Sequence, residues 1–145
     1  MTHKEEQLIL KDLCARLPYG VKVKYYSMEY PYGSGPVILT PYLLYDRWER
    51  GEVKPYLRPV SSMTKDEREE IQIFICDEWF ISDSNATKVD SEGFIEFLSN
   101  YDCSGIYPEF CGQYVDWLLS HHFDYRGLID KSLALEAPED MYKIE

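Results

Sequence analysis

No apolar run in this 145-residue chain approaches the length needed to cross a bilayer. The longest, such as Ile73-Phe74-Ile75-Cys76 and Val37-Ile38-Leu39, suit a strand or one buried helical turn. Basic side chains are scarce: 15 Lys and Arg stand against 26 Asp and Glu, a net charge of −11. Such a field repels phosphate backbones and argues against unaided binding of nucleic acid. Cysteine is confined to positions 14, 76, 103 and 111 with no C-x-x-C pair, which excludes a disulfide miniprotein and the usual zinc spacings. Eight glycines and eight prolines are too few for a collagen-like or low-complexity chain. No phosphate-binding loop, dinucleotide fingerprint, H-E-x-x-H or G-x-S-x-G occurs, so neither a cofactor nor a metal is expected.

What is present belongs to an ordinary globular protein: 45% hydrophobic and 28% charged residues. The length suits a single domain over 1–145 that buries roughly 70% of its unfolded surface. The opening Met1-Thr2-His3-Lys4-Glu5-Glu6 has no apolar core of a secretory signal, so a cytoplasmic protein with reduced thiols is expected. Cys14 and Cys76 then read as small core residues. Charge is uneven: residues 1–62 hold nine basic and seven acidic side chains, residues 63–145 six and nineteen. An acidic half of this kind draws in a basic partner, or serves only to keep a chain soluble.

Thr2 and Glu5 have capping-box spacing, and Ile9, Leu10, Leu13, Cys14 and Leu17 share a helical face that Pro18 and Gly20 end. Val21, Val23 and Tyr25 alternate with Lys22 and Lys24, the pattern of a strand wetted on one face. Val37 to Tyr45 reads as a second strand of an antiparallel hairpin, with Pro41 at an edge or bulge, and Pro55 to Pro59 as a third. Thr64 and Glu67 repeat the capping box ahead of a helix reaching about Trp79. Phe94, Phe97, Leu98 and Tyr101 predict a short helix. Cys111, Tyr114, Val115, Leu118 and Leu119 predict another, and a last helical piece follows Asp124. The expected fold is α+β: an N-terminal helix, a small antiparallel sheet and a mainly helical C-terminal half.

Two groups of residues are candidates for function. Tyrosine is abundant at 13, and Tyr25, Tyr26, Tyr30 and Tyr32 fall within eight positions. Tyrosine gives large contact area at low rotamer cost, which suits a recognition surface and equally a small core. The second group is His121-His122-Phe123-Asp124-Tyr125-Arg126, where an imidazole near a carboxylate could serve as a general base. The structural alternative places the histidines at a helix C-terminus and Asp124 at the cap of the next helix. His122, Asp124, Tyr125 and Arg126 would have to converge in one pocket to make a small enzyme or ligand-binding site. Arg58, between prolines in Tyr56-Leu57-Arg58-Pro59, is a further candidate for binding an anion or pairing with a nearby acid. A zinc set of Cys103, Cys111, His121 and His122 fits no usual spacing, and adjacent helical histidines diverge by about 100°. The acidic residues at 66, 67, 69, 70, 77, 78, 92 and 96 form either a solvated helix face or a mimic of a nucleic-acid backbone.

The stretches Tyr56-Leu57-Arg58-Pro59-Val60-Ser61-Ser62-Met63-Thr64 and Asp116 to Ile129, with Ala134-Leu135-Glu136-Ala137-Pro138-Glu139, resemble small uncharacterised proteins of bacteriophages and of mobile elements in gut bacteria. Leu10 to Val23 is similar to the same group. The resemblance implies a bacterial cytoplasm and an accessory role, and supplies no catalytic residue. The expectation is therefore a non-enzymatic protein that binds a host or phage protein, a basic one if the acidic helices are the contact, without direct nucleic-acid or membrane contact.

Overall fold

The computed structural model describes residues 2–47, 53–78, 87–89, 95–97, 105–106 and 112–143. The chain divides into two compact units, Met1–Arg58 with Leu119–Glu145, and Pro59–Leu118. The α+β class holds in both.

In the first unit, helix α1 (His3–Arg16) begins where Thr2 Oγ1 accepts from Glu5 N at 3.1 Å, the expected cap. A 3-10 turn over Leu17–Tyr19 follows, and Gly20 at φ 70° takes the left-handed conformation that closes it. Strands β1 (Lys22–Tyr25) and β2 (Ser34–Ile38) pair antiparallel, with Val23 opposite Val37. The strand expected over Val37–Tyr45 stops at Ile38, and helix α2 (Pro41–Arg47) follows. Thr40 Oγ1 accepts from Leu43 N at 3.2 Å, so Pro41 occupies a first helical position instead of a strand edge.

Strand β3 (Val53–Pro59) pairs antiparallel with β1 along Val53–Pro55. Two short strands from the chain's end, β7 (Phe123–Asp124) and β8 (Leu135–Glu136), also join β3, the latter in parallel. The sheet is thus mixed, where an antiparallel one was expected. No helix follows Asp124; residues 125–134 form turns. The core beneath the sheet gathers Ile9, Leu13, Val21, Val23, Leu39, Val53, Leu57, Leu128, Leu133 and Ala134. Burying each large aliphatic side chain there contributes about 1.5–3 kcal/mol.

Helix α1 presents a different face from the one expected. Its buried residues are Ile9, Asp12, Leu13 and Arg16, while Cys14 is exposed. At about 100° per residue this turns the buried arc by roughly a quarter-turn, bringing the Asp12–Arg16 pair inward. Cys14 is therefore no core residue, and the side chain of Cys76 lies outside the described residues.

In the second unit, Thr64 and Glu67 form both halves of a capping box: Glu67 N donates to Thr64 Oγ1 (3.2 Å) and Thr64 N to Glu67 Oε1 (3.0 Å). Helix α3 (Lys65–Glu78) starts there. Strands β4 (Thr87–Val89), β5 (Ile95–Phe97) and β6 (Gly105–Ile106) make an antiparallel sheet in chain order. The helix expected through Phe94–Tyr101 is thereby corrected to strand at Ile95–Phe97, where cross-strand pairing with Thr87–Val89 and Ile106 overrides the local period. Helix α4 (Gly112–Ser120) appears as expected, with Tyr114, Leu118 and Leu119 buried. Trp117 Nε1 donates to Glu70 Oε1 at 3.1 Å, tying α4 to α3.

Candidate functional site

The sequence-derived candidates fall into two places in the first unit. The tyrosines belong to the hairpin. Tyr25 packs against the core and meets the Tyr30 ring edge-on at 6.3 Å. Tyr26 lies under the Lys24 ammonium, 5.6 Å from the ring centroid. Tyr32 is 89% exposed. Downstream, Tyr42 and Tyr45 on α2 are 72% and 85% exposed. Sequence reasoning missed these two, because the stretch read as a strand and alternation would have buried half of it.

Arg58, His122, Asp124, Tyr125 and Arg126 belong instead to a polar seam between α1, β3 and β7. Arg16, fully buried, donates through Nε to Asp12 (2.7 Å) and through Nη2 to the Phe123 carbonyl (2.7 Å). The other Asp12 oxygen accepts from Arg126 Nη1 at 3.0 Å. One buried carboxylate therefore pairs with two guanidinium groups, and the seam joins the first helix to the segment after β7. The Arg126 guanidinium also lies 4.9 Å from the Tyr125 ring centroid. Burial raises the Tyr125 phenol, with Arg126 opposing.

Asp124 accepts from Leu128 N and Ile129 N, both at 2.9 Å. Its two oxygens hold the turn after β7 closed, capping a turn instead of a helix. Arg58 stacks on the Phe123 ring at 4.1 Å, its amide donates to the His122 carbonyl (2.8 Å) and its Nη1 to the His121 carbonyl (3.3 Å).

His122 follows α4 in the left-handed conformation, φ 65°. Its ring stacks on Tyr142 at 3.8 Å and 19°. Its Nδ1, like Arg16 Nη1, is buried without a hydrogen-bond partner. Burial first, then the neighbouring charges of Arg16, His121, Arg58 and Lys22, lower its pKa to about 4. An imidazole that far below neutral is a weak general base, since efficient proton transfer needs a pKa near the working pH. The four residues thus meet along one seam, each drawn into packing, stacking or capping.

Tyr142, like Asp12 and Arg16, is a residue of this seam that sequence reasoning missed. Leu39 N donates to Val21 O, so the odd residues of β1 face β2 and Lys22 and Lys24 turn their amides toward β3. Continuing the β1–β3 register would set Lys22 opposite Tyr56. The Tyr142 hydroxyl occupies that rung instead: it accepts from Lys22 N (2.9 Å) and donates to Tyr56 O (2.7 Å). Burial pushes this phenol up to about 12. The Lys22 ammonium donates to the Met141 carbonyl at 2.9 Å, fastening the same strap.

Among the described residues no three His, Cys, Asp or Glu side chains gather as a metal site; Cys103 and Cys111 lie outside them. No described helix is long and apolar enough to cross a membrane. Comparison with protein-family models, curated proteins and solved structures finds no match to this chain.

Proposed function

We propose that this chain is a non-enzymatic accessory protein of phage or mobile-element origin, acting in the cytoplasm. It binds another protein through the tyrosine-rich surface between Met28 and Tyr45. One observation carries the reading. Six of the eight large apolar side chains most exposed among the described residues fall in that segment: Met28, Tyr30, Tyr32, Ile38, Tyr42 and Tyr45. Concentrated apolar exposure of this kind marks interaction surfaces, and tyrosine is enriched at them. The seam around His122 supports the non-enzymatic half of the reading, because the Asp124 carboxylate serves two backbone amides and the imidazole is a weak base.

A variant with Tyr30, Tyr32, Tyr42 and Tyr45 changed to serine tests this by affinity capture from a bacterial lysate against wild type. A specific protein retained by wild type and lost by a variant of unchanged circular dichroism is the expected result. Equal capture by both overturns the surface assignment. The acidic second unit favours a second reading: Pro59–Leu118 holds 13 acidic and three basic residues, and α3 exposes Asp66, Glu69 and Glu70. A basic partner held there would elute at modest salt, since exposed charges are screened within about 10 Å at 0.1 M.

A further inference from the structure

The face of the sheet opposite the core carries an arrangement that folding alone does not explain. Val23, Val53, Pro55 and Leu57 point into the core, so Lys22, Lys24, Lys54 and Tyr56 line the other face. Lys24 and Lys54 are direct cross-strand partners. Directly opposed side chains begin roughly 5 Å apart, and like charges there destabilise a sheet. Among the described residues no ion pair reaches either ammonium. Lys22 differs, since its ammonium is held by the Met141 carbonyl.

Lys24 also lies close over its own hairpin. Its stem crosses Gly33 so closely that a Cβ there would run into Lys24 Cε and come within 2.9 Å of Tyr26 Cε1. Gly33, at φ 95°, makes the room that lets the lysine lie over the Tyr26 ring. Beside it on the same face, Ile38 stands opposite Lys22 and is 57% exposed. The strap ending in Tyr142 covers the Lys22–Tyr56 end of the face and leaves the Lys24–Lys54 rung uncovered by it.

We propose that this rung seats an acidic segment of a partner protein, with a carboxylate bridging the Lys24 and Lys54 ammonium groups and apolar side chains resting on Tyr26 and Ile38. The assignment deepens the protein-binding reading above and rests on it. Charge complementarity selects the occupant: an anion set between two opposed cations removes their repulsion. A polypeptide fits better than nucleic acid, because the chain's charge of −11 opposes a continuous polyanion and the exposed Ile38 offers it nothing.

The test uses the full chain and a fluorescein-labelled random copolymer of glutamate and tyrosine, followed by anisotropy at low salt, with labelled oligothymidylate alongside. Wild type is expected to bind the copolymer in preference to the oligonucleotide. Lys24→Glu/Lys54→Glu should weaken copolymer binding by about tenfold or more. Lys54→Glu alone creates an opposite-charge rung; it should raise the unfolding midpoint while lowering affinity, which separates lost binding from lost folding. No binding by wild type, undiminished binding by either lysine variant, or preference for oligothymidylate through the same lysines overturns the proposal. So does wild-type self-association in sedimentation that the double reversal abolishes, because the occupant is then the acidic half of a second copy. The lysine and serine variants fail distinguishably. If the tyrosine-to-serine variant loses its captured protein while the lysine reversal keeps it, the accessory reading stands and this one falls. If copolymer binding needs the lysines while the serine variant captures as wild type does, the tyrosine-surface assignment falls and the protein-binding reading keeps the Lys24–Lys54 rung as its contact.

Discussion

Replacing Asp12 by leucine removes the only carboxylate that meets Arg16 and Arg126 among the described residues. Arg16 is wholly buried, so its charge is left with the Phe123 carbonyl alone. Breaking a buried pair from one side costs about 3–5 kcal/mol, because the remaining ion has lost water and gained no substitute. The Arg126 contact is part-exposed and adds less than about 1 kcal/mol. Against a typical stability of about 5–15 kcal/mol this is a large fraction. With a urea slope of about 1–3 kcal/mol per molar, the midpoint should fall by roughly 2 M. Amide resonances of Leu13 and Val23 report the first unit directly and should lose intensity together at the lowered midpoint. The paired variant Asp12→Leu/Arg16→Met removes both charges, and should be more stable than Asp12→Leu alone by at least about 1 kcal/mol. An Asp12→Leu protein within about 0.5 kcal/mol of wild type, or a double variant showing the full sum of the single losses, would refute the account of the seam.

Three further outcomes follow from the same geometry. The folded-state pKa of His122, about 4 against 6.5, means that the unfolded chain takes up the proton first. Stability therefore falls as pH drops from about 6.5 toward 4, by about 2 kcal/mol after solvent screening of the half-buried ring. His122→Gln should flatten that window, and an imidazole titrating near 6.5 in the folded protein would contradict it. Tyr142→Phe keeps the ring stack but strips the Lys22–Tyr56 rung of its bridge; a loss of about 1–3 kcal/mol and faster hydrogen exchange at the Lys22 amide are expected. Asp124→Ala leaves the Leu128 and Ile129 amides without their acceptor and should lower the thermal midpoint, whereas Asp124→Asn, which retains one acceptor oxygen, should recover part of the loss.

Features decided within one turn of chain were legible in the sequence. Thr2 and Thr64 cap their helices as spaced, and the alternation of Val21, Val23 and Tyr25 with two lysines marked β1. Where a short apolar run suited two structures, the decision lay elsewhere. Val37–Tyr45 split at Thr40 because a hydroxyl cap made a helix available. Ile95–Phe97 became strand through partners several residues away on both sides. The seam was legible only in part: Arg58, His122, Asp124 and Arg126 stood out as chemistry, but what they do depends on Asp12 and Tyr142. The one available signal was the i,i+4 Asp12–Arg16 pair adjoining the apolar arc of α1, which reads more simply as a surface ion pair. The opposed Lys24 and Lys54 needed the β1–β3 register, which no local pattern supplies.

The Tyr142 bridge also bears on how the protein is made. Its hydroxyl completes a rung between Lys22 and Tyr56, so the oldest strand of a nascent chain waits for a residue added 120 positions later. Between them lies the whole of Pro59–Leu118, which is synthesised and free to collapse while the first unit still lacks β7, β8 and its strap. At about 5–20 residues per second that interval is several seconds, during which β1 and β3 stand open at one end. A ribosome-bound chain stalled short of Tyr142 should therefore hold a protease-sensitive first unit, and emergence of Tyr142 is the step that closes it.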